Sequence, residues 1–341
     1  MKYFDFNNKN ILITGGTGSF GASFINYLIT NFKKVKKIVV FSRDELKQFE
    51  MKKRIDKKMI DKFRFFIGDV RDQKRLVRAF DKIDIVIHAA ALKQVDTGEY
   101  DPLEFVNTNI LGAQNIIEAS LSTNVKKVVA LSTDKAAAPV NLYGATKLCS
   151  DKLFSSANNL VGNKDLKFSI VRYGNVLGSR GSILYVFLDQ KKNGKKISLT
   201  NKNMTRFNIL MEDSIKMVSW CLQNMKGGEI FVPKLNSYRV IDFAKVFSKE
   251  KDIKIIGIRA GEKIHEEMIT SSDSYNTYNL GNYYAICNPL VNKSFNYYKN
   301  LKKFKAGESY NSGKNVNFLK TDQIRKMIKN YIKLNKLDTY L

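Results

Sequence analysis

The chain has 341 residues, with 58 Lys or Arg against 32 Asp or Glu and a formal net charge of +26, a length that accommodates one large domain plus a smaller one. Its two histidines (His88, His265) and three scattered cysteines (Cys149, Cys221, Cys287) form no clustered metal site, and no stretch reaches the about 20 apolar residues of a membrane span. So large a positive charge ordinarily suggests nucleic acid, but the lysines are spread along the chain among abundant asparagine and tyrosine, the mark of AT-rich coding, and no nucleic-acid partner is expected.

KNILITGGTGSFG (9–21) is a β-branched run followed by glycines, then by an amphipathic segment with Phe24, Ile25, Tyr27, Leu28 and Ile29. This reads as strand, tight turn and helix. Gly15, Gly18 and Gly21, with Thr17, Ser19 and Phe20 between them, follow a GxxGxxG spacing. Such a turn brings backbone close to a pyrophosphate and aims a helix N-terminus at it. Residues 1–30 carry neither the basic region nor the cleavage site of a signal peptide, and the odd cysteine count suits a reducing compartment, so a cytoplasmic protein is expected.

A second strand, KKIVVFSRDE (36–45), ends at Ser42 and Arg43, with Lys47 one turn on. An acidic residue at this place would favour NAD, and an arginine the 2′-phosphate of NADP. Ser42, Arg43 and Lys47 favour NADP, and Asp44 in the same turn is the competing feature. FRFFIGDV (63–70) presents Asp69 and Val70 at its end. DIVIHAAALK (84–93) turns at Ala89 and Ala90 and ends at Lys93. Helical patterns span 73–80, 103–122 and 143–159, and KFSIVRYGN (167–175) is a further strand. Strands alternating with helices predict an α/β fold: a doubly wound, mainly parallel, Rossmann-like sheet with a smaller α/β region for substrate. Ligands of such sheets lie beyond the carboxyl ends of the strands, where each of these motifs falls.

LSTDKAAAPVNLYGATK (131–147) carries the chemistry. Tyr143 and Lys147 are four residues apart, on one face of a helix. The cation favours the phenolate, so Tyr143 is expected to act as a base well below its ordinary value of about 10. Thr133 supplies a hydrogen bond to the same reacting oxygen, and Asp134 and Lys135 add a second acid–base pair that a plain dehydrogenase does not need.

TGGTGSFG, SRDELK, IGDVRD, HAAALK, LSTDKAA, NLYGATK, VRYGNVLGSRGS, MTRF and GEKIHE occur in this order. With them, over about residues 8–270, the chain resembles an extended short-chain dehydrogenase/reductase. It is most similar to the configuration-inverting UDP-N-acetylglucosamine 4,6-dehydratases that start pseudaminic acid synthesis. The resemblance implies a homo-oligomer and a reaction that consumes no cofactor. Tyr143 takes the C4 hydroxyl proton as hydride leaves C4. Lys135, partly neutral beside Lys147, works at C5, and Asp134 protonates the departing C6 hydroxyl. Departures from the family pattern are Gln94, the run Asp96-Thr97-Gly98, Tyr185, Asn208 and Ala260.

The second half is expected to hold the sugar nucleotide. Asn175, Ser179, Arg180 and Gly181 suit a loop approaching a diphosphate. Lys93, Arg206 and Arg259 are further candidate substrate ligands, and Glu262 is a candidate acceptor from ribose. The expected division is 1–175 for the dinucleotide, with later segments packing back onto it, 176–285 for the substrate, and a basic extension at 286–341 with a helical pattern at Asp322–Leu334. Two other readings stand beside the dehydratase. One is a UDP-sugar 4-epimerase, which needs no acid–base pair at C5 and C6. The other is a basic nucleic-acid-binding or regulatory protein on a dinucleotide-binding scaffold, with no reason to keep Asp134, Lys135, Tyr143 and Lys147 together.

Overall fold

The computed structural model describes residues 2–335. The first part of the chain alternates strands and helices: β1 (Asn10–Thr14), α1 (Ser19–Asn31), β2 (Lys37–Ser42), α2 (Glu45–Arg54), β3 (Phe63–Ile67), α3 (Gln73–Ala79) and β4 (Ile85–His88). Short helices α4 (Val95–Tyr100) and α5 (Pro102–Phe105) lead through a π-helical turn, Val106–Leu111, into α6 (Gly112–Leu121). Then come β5 (Lys127–Thr133), α7 (Leu142–Ser156) and β6 (Lys167–Tyr173). The apolar β-branched runs seen in the sequence are buried on both faces, as a parallel sheet requires.

The later chain contributes β7 (Asn175–Val176), α8 (Ile183–Lys192), β8 (Ser198–Leu199), β9 (Thr205–Ile209), α9 (Met211–Asn224), β10 (Ile230–Pro233), β11 (Asn236–Arg239), α10 (Val240–Ala244) and β12 (Lys254–Ile255). It ends with β13 (Glu267–Ile269), β14 (Thr277–Asn279), β15 (Tyr283–Ile286), α11 (Asn292–Tyr298), β16 (Tyr310–Asn311) and α12 (Thr321–Leu334).

The main sheet has nine strands in the order β14-β15-β10-β6-β5-β4-β1-β2-β3. The strands from β3 to β10 run parallel, and β15 and β14 add antiparallel at one edge. Strand order reverses between β1 and β4, which opens the crevice where such sheets take their ligands. Two apolar cores cover the two faces of this sheet.

A third core lies apart, between α8, α10 and α12. The stretch 286–341, expected as a basic extension, is built into the fold as far as residue 335. β16 pairs with β13, and α12 buries Ile324, Ile328 and Ile332 in the third core. The spacing of those isoleucines at i, i+4 and i+8 makes one apolar stripe, worth roughly 1.5–3 kcal/mol per buried side chain. Residues 336–341 lie outside the described residues.

Candidate active site

The glycine turn joins β1 to α1 beneath a cleft of about 740 Å³. Gly15 has φ +64°, and a Cβ there would lie 2.9 Å from the Ala90 nitrogen, so the turn after β4 packs directly on it. Gly18 caps α1 without a side-chain hydrogen bond, which leaves the first-turn N–H groups for an anion. Thr14 Oγ1 accepts from the nitrogens of Ala89 and Ala90 at 3.2 and 3.3 Å, and it lies 2.8 Å from His88 Nδ1. With its oxygen taken by two N–H groups, the hydroxyl donates to a neutral His88, whose pKa burial and then Lys147 push down to about 3. Thr17, Ser19, Phe20, Gly21, Val70 and Lys93 also line the cleft, so the backbone and shape fit a dinucleotide. Thr108, from the π-helical turn, lines it as well, and its buried Oγ1 has no hydrogen-bond partner among the described residues.

At the end of β2, Ser42 is held by Gln48, whose Nε2 donates to the Ser42 carbonyl and hydroxyl. Asp44 caps α2 by accepting from the Lys47 nitrogen at 2.9 Å, and it also pairs with the Lys47 ammonium. The competing acid of the sequence is therefore committed to the helix, and Lys47 is committed to it. Arg43 stands half exposed at the cleft, 3.5 Å from Asp69, which Arg71 also holds at 2.7 Å.

The chemistry is assembled where β5 ends. Thr133 leads into a single 3₁₀ turn, Asp134–Ala136, and Asn141 caps α7 by accepting from the Gly144 nitrogen at 2.8 Å. A Cβ on Gly144 would lie 2.3 Å from the Lys135 carbonyl oxygen, so only glycine lets the first turn of α7 sit against the Asp134–Lys135 turn. Tyr143, Lys147 and Asp151 then succeed one another along one face of α7. Asp151 accepts from Ser132 at 2.8 Å and pairs with buried Arg172 at 3.0 Å.

The electrostatics differ from the sequence expectation at two residues. Burial pushes the Tyr143 phenol up to about 12, and the groups that oppose this are the Lys135 ammonium and the Thr133 hydrogen bond. Lys135, not Lys147, is the leading cation that opposes the rise of Tyr143. The value of Lys147 is itself lowered by burial and partly restored by Asp151, the carboxylate to which its charge is coupled. Lys135, expected to be partly neutral beside Lys147, is instead clasped by two carboxylates. Its Nζ lies 3.1 Å from Asp134 Oδ1 and 3.3 Å from Glu266 Oε1. Burial pulls its pKa down, but Asp134 and Glu266 outweigh that and hold it above the ordinary lysine value. Asp134 is almost wholly buried, and this desolvation, reinforced by Glu266, raises its pKa. The pKa values of Lys135 and of Asp134 are therefore both shifted upward in this site.

The candidate substrate residues divide. Asn175, Ser179, Arg180 and Gly181 line the same cleft. Their loop folds onto the glycine turn: Arg180 Nη2 donates to the Thr17 carbonyl at 2.6 Å, its nitrogen to Ser19 Oγ at 3.2 Å, and Lys93 Nζ to the Arg180 carbonyl at 2.9 Å. Arg206, Arg259 and Glu262 are not brought to the cleft wall. Arg206 donates to the carbonyls of Thr205 and Ile264 and faces Glu266 at 3.8 Å, which fixes the loop before β13. Glu262 accepts from the Arg259 nitrogen at 3.2 Å in an exposed turn. Of the family departures, Gln94 lines the cleft, whereas Tyr185 and Asn208 face α12 through Tyr331 and Met327.

Sequence reasoning passed over Glu266. A carboxylate followed by Met268 and Ile269, on a strand that buries both, was the available signal.

The model of the family described as polysaccharide biosynthesis protein matches residues 11–288. The chain is 51% identical over 318 residues to a UDP-N-acetylglucosamine 4,6-dehydratase (inverting) of Campylobacter jejuni, covering 91% of this chain and 94% of that protein. It is 40% identical over 300 residues to a UDP-glucose 4-epimerase of Rickettsia canadensis, covering 86% of each. Among solved structures it superposes on Pen from Bacillus thuringiensis with a TM-score of 0.86, 36% identity and coverage of 96% of this chain and 100% of that one. DesIV, a dTDP-glucose 4,6-dehydratase of Streptomyces venezuelae with NAD bound, shares the fold at a TM-score of 0.67 and 20% identity, over 75% of this chain and 86% of that one. With the glycine turn, the Tyr143–Lys147 pair and the Asp134–Lys135 pair on one cleft, the chain belongs to the polysaccharide biosynthesis protein family, alongside the inverting UDP-N-acetylglucosamine 4,6-dehydratases.

Proposed function

We propose that the protein removes water from UDP-N-acetylglucosamine and inverts C5, giving a UDP-4-keto-6-deoxy-L-sugar. Asp134 and Lys135 beside Tyr143 carry this reading, because an acid–base pair next to the oxidising tyrosine is what elimination across C5 and C6 demands. A nicotinamide dinucleotide held over the turn of Gly15, Gly18 and Gly21 would supply the hydride acceptor and donor for the sugar. Tyr143, hydrogen-bonded by Thr133, takes the proton of the C4 hydroxyl, and the Lys135 ammonium favours the phenolate that does so. The C4 ketone acidifies the C5 proton. After its ammonium has released a proton to solvent, Lys135 accepts the C5 proton as an amine, and Asp134 gives its own proton to the C6 hydroxyl, which leaves as water. A proton then returns to C5 on the opposite face.

The 4-epimerase reading draws on the Rickettsia relative, but epimerisation leaves Asp134 and Lys135 without a task. Incubating the protein with UDP-N-acetylglucosamine and weighing the product separates the two: loss of water supports the dehydratase, and unchanged mass the epimerase. NADP is the proposed dinucleotide, since Arg43 stands half exposed at the end of β2 while Asp44 is spent on α2. A symmetric homo-oligomer is the proposed assembly.

A further inference from the structure

Glu266 belongs to none of the groups assigned above, yet its environment is that of a working residue. It is 2% exposed, and its Oε2 is buried without a hydrogen-bond partner among the described residues. Its backbone is clamped: its nitrogen donates to Ser312 Oγ at 2.9 Å, and its carbonyl accepts from the Ser312 nitrogen at 2.8 Å. Ser312 follows β16, whose pairing with β13 fixes this part of the chain. The backbone is thus held independently of the carboxylate, which pairs with cations instead. Burying an ionised carboxylate costs several kcal/mol unless it is paired, so a charge here has to be matched by a purpose-built partner. The partner is Lys135, reached at 3.3 Å, with Arg206 behind at 3.8 Å.

A lysine ammonium rides on a flexible four-carbon stem. Asp134, its sequence neighbour, holds the ammonium from one side at 3.1 Å. Glu266 comes from a different element and holds it from another, turning a swinging side chain into one fixed at two points.

We propose that Glu266 is a positioning residue for the C5 step, holding the Lys135 side chain in the one place from which its amino group meets C5. The proposal rests on the dehydratase reading. Beyond geometry, the Glu266 charge raises the pKa of both Lys135 and Asp134. The other charged or titratable groups in this field are Arg206, Lys263, Tyr143 and Tyr238.

The test uses holoenzyme mixed with UDP-N-acetylglucosamine. It reads three quantities: the rise in reduced-nicotinamide absorbance that reports C4 oxidation, deuterium incorporation at C5 in heavy water, and the pH profile of turnover. Glu266→Gln is expected to slow C5 exchange by about 10- to 100-fold and to lower the oxidation burst far less. It should also move the limb of the profile that Lys135 carries to lower pH by about one unit or more. Glu266→Asp, which keeps the charge, should restore the position of that limb while exchange stays slow. The inference is overturned if burst and exchange fall together in Glu266→Gln, the mark of a merely structural residue, or if neither changes. Should Glu266→Gln fail to fold by circular dichroism, Glu266→Asp carries the test: exchange slowed with the burst kept supports the proposal, and a common fall or no change overturns it. Absence of water loss in the wild type would instead strike the dehydratase reading itself.

Discussion

The Arg180 guanidinium donates to the carbonyl of Thr17 at 2.6 Å, so a loop read from sequence as a substrate ligand closes over the glycine turn of the cofactor site. Lys93, bonded to the Arg180 carbonyl, ties the β4 end into the same contact. Arg180→Ala is expected to weaken dinucleotide binding by about tenfold or more, through loss of the charge-assisted hydrogen bond that holds its loop on the glycine turn. Fluorescence titrations with NADP and with UDP check this. A fall in UDP affinity alone would return Arg180 to the substrate side.

The end of β2 makes a separate prediction about the cofactor. Arg43→Ala should lower affinity for NADP by roughly 10- to 100-fold and leave NAD nearly untouched, since a hydrogen bond to a charged group contributes about 1.5–3 kcal/mol. Calorimetry with both dinucleotides decides it. Tighter binding of NAD by the wild type, with both affinities unchanged in the variant, would remove the NADP assignment.

Two substitutions separate the halves of the reaction. Tyr143→Phe removes the group proposed to take the C4 proton, and oxidation and everything after it should fall by at least ~10²–10⁴-fold. Lys135→Ala leaves Tyr143 and Lys147 in place. Oxidation should then proceed, slowed by loss of the ammonium that favours the Tyr143 phenolate, the C5 step should stall, and reduced-nicotinamide absorbance should persist after mixing with substrate. Full dehydratase turnover in Lys135→Ala would end the role given to Lys135.

Acid stability follows from His88. Burial holds it neutral in the folded chain down to about 3, whereas unfolding returns it to an ordinary value near 6.5. Between those values the unfolded chain binds a proton that the folded chain does not. Stability therefore falls as pH drops through this window, by up to about 1.4 kcal/mol per unit from this one group, and is untouched above it. Urea unfolding from pH 7 to pH 4 measures the slope. His88→Asn, which does not titrate, should flatten it, and an unchanged slope would show that other groups dominate.

Local order in the chain was legible where chemistry and spacing coincide. The glycine turn, the β-strand runs and the four-residue interval from Tyr143 to Lys147 fix strand, turn and helix by steric and periodic rules that act within a few residues. Their place at the carboxyl ends of parallel strands follows from the alternation of elements. The same locality explains the errors. Asp44 reads as a possible ribose ligand until α2 is seen to claim it as a cap. The continuous pattern over 103–122 hides a π-helical turn that carries Thr108 into the cleft.

The sequence by itself determined the residue types of the reaction and the elements that bear them, since both are set by short-range geometry. Only the tertiary structure decided the surroundings that shift their pKa values. Lys135 meets Glu266 from 131 residues away, and a Coulombic interaction between buried groups depends on separation in space and on exclusion of water, neither of which the order of residues records. The same holds for α12. Its stripe of isoleucines announces a helix with a face to bury, but that Tyr331 donates to the Gly178 carbonyl at 2.8 Å, behind the loop that carries Arg180, is a fact of packing alone.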